Sequence, residues 1–166
     1  MLNHYNYVFD NLTNTYNFVT KNNILYRVAF VVDYTFSIIS GEDIQNIFQL
    51  VIEKASDDLE PFDAKVSKTI EDIIKRFFQN TENSLVYICS DEDNKAGIRH
   101  KIFDRWYKNS EYRKTIIKIN NILPVKVTGI GVQRIYTSFM FHTRNKNVEK
   151  LIKTYQQIEK ALNESK

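Results

Sequence analysis

Two runs rich in β-branched and aromatic residues, YNFVT (16–20) and ILYRVAFVV (24–32), are separated only by KNN, a polar connection suited to a hairpin. In the second run Leu25, Arg27, Ala29 and Val31 alternate with Tyr26, Val28, Phe30 and Val32, so one strand face is wholly apolar and the other carries a single charge. That surface demands further strands and a covering layer. YTFSII (34–39) is expected to pair next, ahead of the turn signal SGED (40–43), and NIFQLVIEK (46–54) is β-branched enough to form a fourth strand, with a helix of similar length as the alternative.

The pattern then changes period. In PFDAKVSKTIEDIIKRFFQN (61–80), Phe62, Val66, Ile70, Ile73, Ile74, Phe77 and Phe78 recur every three or four residues, which predicts a helix started by Pro61 or capped by Asp63. SLVYICS (84–90) is apolar on both alternating faces and reads as a buried strand. A second helix is expected over 94–108. RKTIIKINNIL fits strand or helix, and VKVTGIGVQRIYTSFMFHT holds one or two strands, with Gly129 and Gly131 at a bulge or turn. A closing helix carries the stripe Val148, Leu151, Ile152, Tyr155, Ile158, Leu162, capped by Asn145 or Asn147. With no internal repeat and no evident linker, the expectation is a single domain over residues 1–166 in the α+β class. It is a mainly antiparallel sheet with about three helices packed on one face.

Cys89 is the single cysteine, which excludes an intramolecular disulfide and a zinc site built on several thiolates. MLNHYNYVFDNL has neither a basic leader nor an unbroken apolar core, and no run approaches the ~18 apolar residues of a spanning helix. A cytoplasmic setting and no membrane partner are therefore expected. Charge divides unevenly: residues 1–94 hold 7 Lys or Arg against 15 Asp or Glu, and residues 95–166 hold 16 against 5. Either the two halves complement each other within the fold, or the basic one faces an acidic partner.

The segment YICSDEDNKAGIRHKIFDRWY (87–107) concentrates the candidate chemistry. On a helical wheel Ile98, Ile102, Trp106, Phe103 and Tyr107 span an apolar arc about 180° wide with Arg99 near its centre. An inward guanidinium must find an anion, an aromatic ring or an exit to solvent, and Asp91, Glu92 and Asp93 are the nearest anions along the chain. In a structural reading Arg99 locks onto one of those carboxylates. In a functional one Asp91 and Asp93 bind a divalent metal while Lys95 and Arg99 hold a phosphate, the parts of a metal-assisted phosphoester hydrolase or nuclease. The structural reading asks for less, because SDED lacks the regular ligand spacing of a calcium loop. Lys95, Arg99, Lys101, Arg105, Lys108, Arg113, Lys114 and Lys118, interleaved with Phe103, Trp106, Tyr107 and Tyr112, make a nucleic acid or an acidic protein the expected partner. Phe103 and Trp106 lie on the apolar arc and are expected in the core. No glycine-rich phosphate loop, HExxH or GxSxG occurs, His4, His100 and His142 are scattered, and no cofactor is expected.

YNFVT, YRVAF, FDAKVSKTIEDIIKRFF, VYIC, DEDNKAGIR and IFDRWY together resemble a bacterial family of small cytosolic proteins known only as a domain of unknown function. The likeness runs over about residues 10 to 110. It implies a cytosolic protein with no catalytic residue, cofactor or partner to carry over, and a characteristic segment containing Asp93, Lys95, Arg99, Phe103 and Trp106. Residues from Ile116 onward bring no family to the reading. Binding or regulation without catalysis is the leading expectation, and the hydrolase the alternative.

Overall fold

The computed structural model describes residues 3–56, 63–89, 94–127, 129 and 131–164. Its elements are β1 (Tyr7–Asp10), β2 (Thr15–Val19), β3 (Leu25–Val32), α1 (Thr35–Ser40), β4 (Ile47–Lys54), α2 (Ala64–Phe77), β5 (Ser84–Cys89), α3 (Ala96–Asn109), β6 (Ile116–Val127), β7 (Gly131–His142) and α4 (Val148–Glu164), with a 3-10 turn at Tyr112–Lys114. The seven strands form one sheet in the order β1-β2-β3-β4-β5-β7-β6, antiparallel except for β4 beside β5. Helix α2 is the crossover between that parallel pair. The α+β class and the mainly antiparallel sheet agree with the sequence reading.

The predicted hairpin forms between β2 and β3, pairing Thr15 with Ala29 and Val19 with Leu25. Asn23 takes φ 61° in its turn, a left-handed conformation asparagine tolerates, and its N–H reaches the Thr20 carbonyl at 3.0 Å. The ambiguous 113–123 run becomes strand β6, and Gly129 and Gly131 hold φ 81° and 98° between β6 and β7.

The expected strand YTFSII is instead helix α1. Local hydrogen bonds outweigh its β-branched composition here. The Asp33 carboxylate accepts the Thr35 N–H at 2.7 Å, and the Ser37 hydroxyl accepts from Ile44 N–H at 2.9 Å while donating to its carbonyl at 3.0 Å. Gly41, at φ 68°, closes the helix by donating to the Ser37 carbonyl.

Helices cover both faces of the sheet rather than one, and there are four of them. On one face α2 lays Val66, Ile70, Ile73 and Ile74 against Val28, Leu50 and Leu85, and α3 adds Phe103. Each fully buried isoleucine is worth roughly 1.5–3 kcal/mol. The Asp63 side chain caps α2 on the Lys65 N–H at 2.9 Å, while Lys75 and Arg76 occupy its last turn, where cations suit the helix dipole. On the other face α1 and α4 pack Phe36, Leu151, Tyr155 and Ile158 onto Val86, Phe139 and Phe141. That second layer covers the β5-β7-β6 end. At the β1–β4 end of the same face Val8, Val19, Val31 and Val51 are exposed. No described helix is long and apolar enough to cross a membrane.

Candidate functional site

The residues beneath α3 are set by strand register. Leu85, Met140 and Lys118 align across β5, β7 and β6, as do Tyr87, Ser138 and Asn120, then Cys89, Tyr136 and Ile122. Leu85 and Met140 belong to the core under α2 and α3, so Lys118, Asn120 and Ser138 share that face.

Helix α3 is rotated from the sequence wheel. Ile98, on the apolar arc of the wheel, is 59% exposed, whereas Ala96 and Phe103 are buried. The inward stripe runs Ala96, His100, Phe103, Tyr107, about 80° away from the arc the apolar residues alone define. Two contacts account for the turn. Gly97 approaches Tyr136 so closely that a Cβ there would sit 3.3 Å from its hydroxyl. Rotation also brings Asp104 over Lys118.

Lys118 is the most deeply set charge described on this face. Its side chain is 1% exposed, its Nζ lies 3.0 Å from Asp104 Oδ1, and it also donates to Asn120 Oδ1. The Phe103 and Tyr107 ring centroids stand 5.4 and 5.8 Å from the ammonium. Asn120 returns a bond to Asp104 at 2.8 Å and accepts one from Ser138 at 2.9 Å, and Lys108 meets the other Asp104 oxygen at 2.7 Å. Burial on its own would raise the Asp104 carboxyl. The bonds from Lys108, Asn120 and Lys118 together outweigh it and hold the group well below the carboxylate range. Burial lowers the Lys118 ammonium, with Asp104 acting in the opposite direction. The pair clamps β6 to α3.

His100 sits beside the clamp. Burial and the Lys118 charge lower its pKa, Asp104 partly offsetting them, and Nδ1 is buried without a hydrogen-bond partner among the described residues. Its ring centroid is 5.3 Å from that of Tyr136. Burial pushes the Cys89 thiol up, against Tyr87, Arg99 and Lys118, so at neutral pH it is a protonated, buried group.

The residues chosen from sequence fall into four groups. Asp91 and Asp93 lie outside the described residues, so the proposed metal ligands and their lock on Arg99 do too. Arg99 is half-buried, and its charge acts on Tyr87 and Cys89 at the end of β5. Lys95, Lys101 and Arg105 are exposed. Trp106 packs partly against the core and, with Arg105, Ser67, Lys68 and Glu71, lines a cleft of about 220 Å³ between α2 and α3. Among the described residues no group of three or more His, Cys, Asp or Glu could hold a metal ion. Sequence reasoning counted Lys118 and Asp104 as surface charges and passed over Asn120 and Ser138. The available signal was alternation: in IIKIN, Lys118 and Asn120 occupy the positions that a strand places on the same side as Ile116.

A helix-flanked α+β sheet with one cationic helix face and a sealed ion-pair network beneath it is the class that fold and site define. The family of unknown function DUF6169 matches residues 62–157, more than half of the chain, and the chain belongs to that family. The match runs from α2 into α4. It therefore takes in the segment from Ile116 that the sequence reading left without a family, and it overlaps the resemblance over 62–110. No curated protein and no solved structure matches the chain.

Proposed function

We propose that this protein binds an acidic partner through the outward side of α3 and the turn that follows, as a non-enzymatic binding or regulatory protein of the cytoplasm. One observation carries the reading. Lys101, Arg105, Arg113 and Lys114 are all exposed, and none forms an ion pair with a carboxylate among the described residues. The fold takes Lys118 inside with its own carboxylate and ties Lys108 to Asp104, yet leaves these four cations exposed without a carboxylate, Arg113 donating to the Lys108 carbonyl at 2.7 Å. A polyanion would neutralise them and release counterions, an electrostatic gain that needs no base-specific contact. Complementation between the acidic and basic halves is represented by the exposed pair Lys150–Glu42 at the far side of the sheet, away from α3.

Single- and double-stranded labelled DNA and RNA are the first probes. Binding that weakens steeply with salt, and that falls in the Lys101→Glu/Arg105→Glu double variant, supports a nucleic-acid partner. Binding of an acidic polypeptide such as polyglutamate, with nucleic acids silent, assigns the surface to an acidic protein. Absence of both, or a signal indifferent to salt and to the double variant, removes the proposal.

A further inference from the structure

On the opposite face of the sheet a cavity of about 190 Å³ opens between β5, β7, β6 and the helices α1 and α4. Phe36, Val86, Leu123, Ile135 and Ile158 supply its apolar lining, with Ile88, 39% exposed, at the solvent side. An apolar cavity of about 150 Å³ is enough to hold benzene, so a single aromatic ring fits here.

Its polar groups are few and of one sign. Asp33 and Glu159 are part of the lining, and among the described residues neither meets a lysine or arginine. Asp33 uses one oxygen on the Thr35 N–H, and Glu159 uses one on the Asn121 side chain, which leaves each a second oxygen with no described hydrogen bond. The Thr137 and Tyr155 hydroxyls, 3.0 Å apart, engage each other, so the surface the cavity presents is almost wholly hydrocarbon. Two uncompensated carboxylates beside an apolar chamber favour a cation and repel an anion.

We propose that this cavity is a binding site for a small organic amine with an apolar body, its ring or chain against Phe36, Leu123 and Ile135 and its ammonium against Asp33 and Glu159. The site is independent of the α3 surface, because the whole sheet lies between them. Placing the charge beside the carboxylates adds charge-assisted hydrogen bonds to the apolar contact.

Three probes of similar size isolate the two terms: benzylamine, toluene and benzoate, titrated into the full chain by NMR. The expected order is benzylamine tightest, toluene weaker by about tenfold, and benzoate unbound. Shifted amides should cluster at 135–137 and 155–159. The Asp33→Asn/Glu159→Gln variant should bring benzylamine down to the level of toluene without changing toluene, and Ile88→Trp should block both. Should Ile88→Trp misfold, the first variant and the shift map still decide. Benzoate or toluene binding as well as benzylamine, a charge-neutral variant that binds benzylamine unchanged, shifts centred elsewhere, or no binding by any probe would each overturn the assignment.

Discussion

Helices α2 and α3 lie on the same face of one sheet and share a cleft, yet they are seated by different physics. Every buried side chain of α2 but Thr69 is a branched hydrocarbon, whereas the fully buried Phe103 of α3 carries the Lys118 ammonium over its ring, with the Asp104 carboxylate and the Asn120 amide bound to that ammonium. Hydrocarbon packing tolerates small rotations of a helix, since it is non-directional. An ion pair at 3.0 Å does not. The difference explains why the α2 face could be read from periodicity while α3 turned away from its own apolar arc: its orientation follows Lys118 and Tyr136, which the wheel does not contain.

The largest effect that would test this contrast comes from removing one partner of the clamp. Asp104→Leu leaves the Lys118 ammonium buried and uncompensated and should cost about 3–5 kcal/mol in urea unfolding. Adding Lys118→Met should recover most of that loss, a coupling that a double-mutant cycle reads directly. If the double variant is as unstable as the single, the network contributes by packing alone and the contrast fails. Under α2, Ile73→Ala should cost about 2–5 kcal/mol through cavity formation, with no dependence on salt.

Next in size is the response to acid. The folded pKa of Asp104 is depressed, so its stabilisation is complete above the unfolded value near ~3.9 and is lost as pH falls through the folded value. His100 and His142 are both lowered, first by burial, so the unfolded chain takes up their protons first and stability declines as pH falls below about 6.5. Unfolding midpoints between neutral and mildly acidic pH should therefore fall, and His100→Phe should flatten part of that slope while His142 keeps the rest. An unchanged slope would mean that the buried imidazole does not titrate with folding. Smallest of all, Lys101→Glu/Arg105→Glu should shift stability by no more than about 0.5 kcal/mol per site, because both side chains are exposed and without ion pairs among the described residues. A larger loss would give those cations a role in the fold and take them from the binding surface.

Local rules carried the hairpin of β2 and β3, the α2 stripe, the strand at β5 and the closing helix, because each bears a clean period within its own residues. They failed at Thr35–Ser40, where three hydrogen bonds from Asp33 and Ser37 select a helix that composition disfavours. The double covering of the sheet was also out of reach, since it depends on α1 and α4 meeting from distant parts of the chain. For the site, the exposed members Lys101 and Arg105 were legible as charges on a helix. The clamp was not, because Lys118 and Asp104 are brought together by the β5-β7-β6 register, and the cavity beside Asp33 is framed by residues from five separate segments.

The twelve-residue strand β6 forms one border of the sheet, opposite the four-residue β1. Three quarters of the way along it stands Pro124, paired in register with Arg134. A proline has no amide hydrogen to offer, so an approaching strand from another molecule would meet a gap in the row of donors. Substituting an ordinary residue there would restore a continuous template for intermolecular pairing, and the sheet's longest border would become adhesive.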